Sequence, residues 1–263
     1  MSEGAAGGRA SDDTPPIWVI SLPSAVERRR VVVEGFEQLN IPFELVDGVD
    51  GNALSSEEWD RYSRRRSLLE TGRPLARGEL GCALSHLGLY ERMRRESIPR
   101  AVVVEDDVVP TADLLPVLRQ LDRVPDDWDV VTLHALFDIA DPTPVGDEVI
   151  AGRYHVCRYR GPLFGAQCYV ITLTAATRML AVGSPVALPA DDLLFRTFPA
   201  RLRVYGIEPN VVHLGAFESE IVARSHPSDT DRLRPTDRAT IVIGKVRRRL
   251  RRLRHGEAGA LLG

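Results

Sequence analysis

Apolar and polar positions along the chain alternate between two periods. Residues 17–22 (Ile-Trp-Val-Ile-Ser-Leu) form a compact apolar run that predicts a strand, and Ser24 with Glu27 three residues later spells a capping box for a helix. That helix is expected to reach about Asn40, with Val32, Val33, Phe36 and Leu39 on its apolar face, and residues 41–46 predict a second strand. Strand, helix and strand at this spacing make a βαβ unit, whose right-handed crossover implies parallel pairing. The clearest element is Ala101-Val102-Val103-Val104, an unbroken β-branched run of the kind buried on both faces of a sheet, followed at once by Glu105, Asp106 and Asp107. Between these elements, residues 55–63 predict a short helix and residues 77–90 a longer one. In the longer helix Gly81, Cys82, Ala83 and Ser85 permit close approach to a neighbour, while Glu79 and His86, seven apart, share a face.

Downstream, the pattern predicts a helix over 113–121 and strands over 128–134, 154–159 and 167–171. A helix opened by Thr172 or Thr174 and a short one opened by Asp191 and Asp192 come next, then strands over 203–207 and 211–214. Residues 138–152, with Pro142, Pro144 and Gly146, read as a loop, and residues 161–165 as a loop able to line a cleft. Arg64, Arg65 and Arg66 read as a solvated charge run, and residues 47–52 as a turn. Residues 1–16 are expected to be a disordered leader, residues 17–227 the folded domain, and residues 228–263 a polar linker with a basic amphipathic tail. In that tail Lys245, Arg247, Arg248, Arg249, Arg251, Arg252 and Arg254 surround Val246, Leu250 and Leu253. Such a helix suits an anionic membrane face or an acidic partner.

Composition narrows the classes. A chain of 263 residues, 44% hydrophobic, has the material for one large α/β core. A net charge of −3 argues against a nucleic-acid binder. Cys82, Cys157 and Cys168 lack CxxC spacing, which points to neither a zinc site nor a disulfide framework and favours a reducing compartment. No secretory signal pattern or bilayer-length apolar run is seen, so the expected location is cytoplasmic, peripheral to the inner face of the membrane through the basic tail. Motifs for dinucleotide binding, P-loop hydrolysis and a serine nucleophile are absent.

The candidate chemistry starts at the acidic strand end. Open α/β sheets bind ligands at strand C-termini, where carboxylates can hold Mg²⁺ or Mn²⁺ beside a phosphorylated substrate. Strand alternation would put Glu105 and Asp107 on one face and Asp106 on the other. A solvated turn is the other reading of the same three acids. Core packing is equally open to His86, and an N-cap role to Asp191 and Asp192.

Three segments taken together resemble glycosyltransferase family 25, the lipooligosaccharide-biosynthesis and collagen-galactosyltransferase relatives. They are Val19-Ile20-Ser21-Leu22 followed by Glu27-Arg28-Arg29; then Gly78-Glu79-Leu80-Gly81-Cys82-Ala83-Leu84-Ser85-His86; then Val103-Val104-Glu105-Asp106-Asp107. Weaker echoes are Gln167-Cys168-Tyr169-Val170-Ile171, Pro189-Ala190-Asp191-Asp192 and Ser219-Glu220-Ile221. The first strand departs from the family's Ile-Asn-Leu-Asp by reading Ile-Ser-Leu-Pro, and Glu220 stands where the family has Asp.

The resemblance implies a GT-A-like nucleotide-sugar fold with a mostly parallel central sheet flanked by helices. It also implies Mn²⁺ or Mg²⁺ and an inverting transfer of a hexose, galactose from UDP-galactose, onto a hydroxyl of a glycan or small acceptor, as in lipopolysaccharide biosynthesis. On that basis the metal side falls to Asp107, Asp106 and His213, and the catalytic base to Asp191 or Asp192. Donor contacts fall to Ser21, Leu22, Arg28, Arg29, Glu79, Ser85, His86, Glu105 and Asp106. Two rival functions share some of these features: a metal-dependent phosphotransferase or nuclease, and a non-catalytic binding module acting through the basic tail.

Overall fold

The computed structural model describes residues 14–125, 127–135, 141–160, 163–196, 202–215 and 233–255. Most of the expected leader, the Ser219-Glu220-Ile221 echo and Gly161-Pro162 lie outside them. The predicted βαβ unit is present as β1 (Ile17–Ser21), α1 (Val26–Gln38) and β2 (Glu44–Asp47), with β1 parallel to β2. On its other edge β1 pairs in parallel with β3 (Arg100–Glu105). Burial of β3 on both faces follows from its place between two cores: Val102 and Val104 pack into one, Ala101 and Val103 into the other. Each buried valine contributes on the order of 1.5–3 kcal/mol, which makes this strand the least replaceable apolar segment.

Further strands are β4 (Val108–Val109), β5 (Val130–Thr132), β6 (Asp141–Ile150), β7 (Tyr154–Arg160), β8 (Cys168–Thr172), β9 (Val204–Glu208) and β10 (His213–Leu214). Among the described residues the main sheet runs β2-β1-β3-β8-β5-β9-β7-β6, and β4 pairs with β10 in a small second sheet. All strands of the main sheet point one way except β8 and β7. The sheet is therefore mostly parallel, flanked by helices, and consistent with a GT-A-like fold. The helices after α1 are α2 (Ser56–Asp60), α3 (Arg64–Glu70), α4 (Arg77–Glu96), α5 (Leu114–Leu118), α6 (Leu173–Gly183), α7 (Ala190–Arg196) and α8 (Asp237–His255). Ser55 and Glu58 form a reciprocal capping box on α2, and Thr172 caps α6 as predicted.

Several expectations change. Residues 141–150, read as loop, form β6; it is the edge strand of the sheet, where Pro142 and Pro144 cost no internal ladder bond, and the register shifts between Pro144 and Val149. α1 starts on Ala25 without a side-chain cap, and Glu27 pairs with Arg30 instead of closing a capping box. The arginine run is not simply solvated. Arg64 pairs with Asp237 at 2.7 Å, and Arg66 donates to the carbonyls of Val182 and Pro185. The basic tail is correspondingly a docked helix: Gly244 of α8 lies against the Leu69 carbonyl, which also accepts a bond from Arg248.

The small residues of α4 meet the backbone they were expected to meet. A Cβ on Gly81 would lie 2.4 Å from the Val49 carbonyl oxygen and 2.7 Å from the Gly51 nitrogen, whereas one on Gly88 would meet nothing within 4 Å. Both glycines cost helix propensity, so alanine should act with opposite sign at the two sites. Gly88→Ala is expected to stabilise the chain by about 0.5–1 kcal/mol, and Gly81→Ala to destabilise it by more than that. Urea unfolding of the two variants checks this; a Gly81→Ala protein as stable as the parent would mean that α4 does not press on the turn.

Candidate functional site

β1 and β3 are parallel neighbours, so their C-terminal ends open on the same side of the sheet, and α4 passes beside them. There they line a pocket that opens to solvent. Ser21 ends β1 and Leu22 follows it, Arg28 comes from α1, Gly78, Cys82, Ser85 and His86 from α4, Glu105 from the end of β3 and Asp106 from the turn after it, and residues 48–52 from the turn after β2. Of the expected donor contacts, all but Arg29 and Glu79 line it.

Those two residues have other work. Arg29 pairs with Asp47. Glu79 accepts from the Ala76 nitrogen at 2.8 Å and is gripped by Arg73, so it closes the N-terminus of its own helix. Sharing a face with His86 does not bring Glu79 to the pocket, because its carboxylate is turned to the Ala76 nitrogen and Arg73, although the adjacent Gly78 lines the pocket. Ser85 donates to the Gly81 carbonyl and accepts from the Val49 nitrogen, both at 2.8 Å, thereby tying the pocket turn to α4.

The acidic triple divides differently from the expectation. β3 ends at Glu105, so strand alternation stops there and Asp106 and Asp107 lie in the turn before β4. Glu105 and Asp106 therefore line the pocket together. Asp106 is nearly buried and both its oxygens are engaged, one by Ser21 Oγ at 2.7 Å and one by Arg28 at 2.6 Å. Both oxygens of Asp106 thus have protein partners, whereas Asp107 has an oxygen with none. Arg28 reaches Asp107 only at 3.9 Å, and Asp107 Oδ1 is buried with no hydrogen-bond partner. Burial, then the neighbouring Glu105 charge, push the Asp107 carboxyl up to about 7 against the opposing pull of Arg28.

Glu105 anchors a buried polar chain. Its Oε1 lies 3.2 Å from His86 Nε2 and 3.7 Å from Cys82 Sγ. His86 Nδ1 meets the Tyr169 hydroxyl at 2.7 Å, and that hydroxyl meets the Tyr90 hydroxyl at 2.5 Å. Burial pushes the Cys82 thiol and both phenols up, so these groups stay protonated as hydrogen-bonding partners. Cys82, His86 and Glu105 also place three possible metal-ligand atoms within 4.8 Å of one another. A sulfur, nitrogen and oxygen set suits zinc better than Mg²⁺ or Mn²⁺, which prefer oxygen. A hard cation fits the unpartnered oxygen of Asp107 more closely.

His213 lies outside the Cys82, His86 and Glu105 cluster, exposed on β10 opposite Val109; burial, then His213, lower the pKa of the buried His134. Asp191 and Asp192 open α7. Asp191 accepts from the Gly165 nitrogen at 3.4 Å and from the Asp192 nitrogen at 2.8 Å, and its charge is felt at Cys82 in the pocket. Asp192 acts instead on Arg73. Sequence reasoning missed the ligand-like convergence at Cys82 and the two tyrosines. The spacing Cys82, His86, Tyr90 runs down one face of α4 and was readable; Tyr169 arrives from β8, whose segment was seen as a strand and a weak family echo but with nothing to place it beside α4.

A family model described as glycosyltransferase family 25 (LPS biosynthesis protein) matches residues 14–194. The chain is 29% identical over 198 residues to a Bos taurus protein named probable inactive glycosyltransferase 25 family member 3, covering 68% of this chain and 31% of that protein. It is 24% identical over 264 residues to procollagen galactosyltransferase 1 of Danio rerio, covering 92% and 42%. Over 186 residues it is 25% identical to a Haemophilus influenzae protein named "Putative glycosyltransferase", covering 69% and 63%. The chain thus spans less than half the length of these two animal relatives.

Asp107 supplies a test of the site's electrostatics. In the cation-free protein its carboxyl is raised from 3.8 to about 7, so the folded state holds a proton that the unfolded state has lost. Stability from this group is complete below pH 3.8 and falls as pH rises to about 7, by on the order of 2–4 kcal/mol. Asp107→Asn should therefore raise the melting temperature at pH 8 and leave it nearly unchanged near pH 4. Equal shifts at both pH values in thermal unfolding would contradict a raised carboxyl.

Proposed function

The chain belongs to glycosyltransferase family 25, and from that premise we propose that it transfers a hexose from a nucleotide sugar, UDP-galactose in the first instance, to an acceptor hydroxyl with inversion. The pocket at the ends of β1 and β3 is the donor site in this reading, and one observation supports it above the others. Three family-motif segments, distant in sequence, meet there around Glu105 and Asp106, with Asp107 next along the chain and Arg28 the counter-charge bonded to Asp106. A diphosphate brought to three acids would be repelled unless a cation came with it. Mg²⁺ or Mn²⁺ would be held by Asp107, whose buried oxygen has no other partner, and would supply charge neutralisation to the departing diphosphate.

The protein's own groups account for the rest. Ser21 and Arg28 hold Asp106 still, and His86 orients Glu105 toward the donor. Asp191 is the proposed base: its carboxylate is held by two backbone N–H groups and its charge is felt at Cys82 in the pocket, whereas the charge of Asp192 is felt at Arg73. As the acceptor oxygen bonds to the anomeric carbon, Asp191 takes its proton and the nucleoside diphosphate leaves with the bonding electrons of the old C–O bond. The acceptor is a glycan or small molecule at the open side of the pocket.

A second reading has its own support, since the Bos taurus relative is named as inactive. On that reading the pocket binds a nucleotide sugar without turning it over. Calorimetry with UDP-galactose and Mn²⁺, followed by an assay of UDP release with acceptor mixtures, separates the two. We expect binding and turnover; Asp191→Asn should cut turnover about 10²–10⁴-fold with donor affinity within a few-fold, while Asp192→Asn leaves turnover near the parent. Undiminished turnover in Asp191→Asn removes the base assignment, and binding without any UDP release favours the inactive reading.

A further inference from the structure

α8 is docked by one face and bare on the other. Asp237, Thr240, Ile241, Gly244 and Arg248 face the body, where Asp237 pairs with Arg64 and Gly244 rests on the Leu69 carbonyl. On the opposite face Val242, Ile243, Val246 and Leu250 are each at least half exposed. At ~100° per residue these four fall on one stripe, bordered by exposed Arg238, Lys245 and Arg249 on one side and by exposed Arg247 on the other. No acidic residue follows Asp237 in the helix.

We propose that this stripe of α8 binds the surface of an anionic lipid bilayer, with its apolar side chains below the headgroups and its basic margins among them. The pattern of one apolar strip between two cationic borders is what a helix lying in an interface needs. A second copy of the chain is a poor occupant, because pairing two such stripes would bring like-charged borders together. The helix lies on the membrane and does not span it: none in the described residues is long and apolar enough to cross. Apolar insertion and a basic patch together make two anchoring signals, enough for stable binding where one is marginal.

The docking also connects α8 to the pocket. A Cβ on Gly72 would lie 3.6 Å from Arg248 of α8, and the next residue, Arg73, grips Glu79 beside the pocket-lining Gly78. α8 is thus connected through Gly72 and Arg73 to the start of α4, where Gly78 lines the pocket. The binding itself goes beyond the transferase reading and stands without it.

The test uses the full chain with vesicles of phosphatidylcholine and with vesicles of phosphatidylcholine and phosphatidylglycerol in equal parts, read by co-sedimentation. The chain should sediment with the anionic vesicles, weakly or not at all with the zwitterionic ones, and progressively less as salt is added. Each surface cation contributes about fivefold, so Lys245→Gln, Arg247→Gln and Arg249→Gln combined should weaken partition on the order of 100-fold. Val246→Asp with Leu250→Asp should abolish it, with an unchanged far-UV spectrum because both positions are exposed. Three results overturn the proposal: no sedimentation of the parent with anionic vesicles, sedimentation unaffected by the two aspartates, or self-association without lipid that those aspartates abolish.

Discussion

The Asp106 carboxylate, clamped between Ser21 and Arg28, is the interaction on which the pocket depends. It joins the end of β1, the first turns of α1 and the turn after β3, three places that the chain visits far apart. A carboxylate this nearly buried is tolerable only when both oxygens are satisfied, and removing one partner of such a pair typically costs about 3–5 kcal/mol. The clamp has a second effect. By consuming Arg28 it leaves Asp107 with a distant counter-charge and an unsatisfied oxygen, so the two adjacent aspartates acquire opposite characters. One is structural, with both oxygens engaged; the other keeps an unpartnered buried oxygen open to a cation.

A comparable division runs through α4. Its pocket face carries Cys82 and His86 to Glu105, and the chain continues through Tyr169 to Tyr90 in the interior. Hydrogen bonds of this kind are valuable in a low-dielectric core only when every member is paired, and here each hydroxyl and ring nitrogen has a partner. The network holds Glu105 in one orientation. Close packing makes the network possible, because Gly81 lets α4 settle onto the turn after β2 and Ser85 then bonds both.

Much of this was legible in the sequence where a period or a cap decides the outcome. The β1-α1-β2 unit, the doubly buried β3 and the cap of α6 follow from local pattern, and the convergence of Ser21, Arg28, His86 and Glu105 was implied by the family resemblance. The failures share a cause: long-range geometry overrode a sound local rule. β6 is full of turn residues but is tolerated at a sheet edge, where prolines forfeit nothing. Arg64 looked like a solvent-facing charge until α8 supplied Asp237 across 173 positions. Alternation failed at Asp106 and Asp107 because the strand ends one residue earlier, at Glu105. Glu79 was lost to its own helix terminus, a role its position three residues after Ala76 already allowed.

The same contest explains why α8 was readable as amphipathic but not as attached. Its sequence shows one apolar stripe among cations, which alone describes a free peptide that folds on a surface. What the pattern conceals is Gly244, a residue that weakens an isolated helix yet permits backbone-close contact with Leu69. With the glycine face spent on α3 and Asp237 spent on Arg64, the helix is held in place before any partner arrives. The ordering cost that a flexible basic tail would meet on binding is then already met by the fold, so the exposed stripe acts as a preformed surface. Because α3 leads through Gly72 and Arg73 into the start of α4, a force on that surface reaches the pocket through a short, packed path and not through a linker.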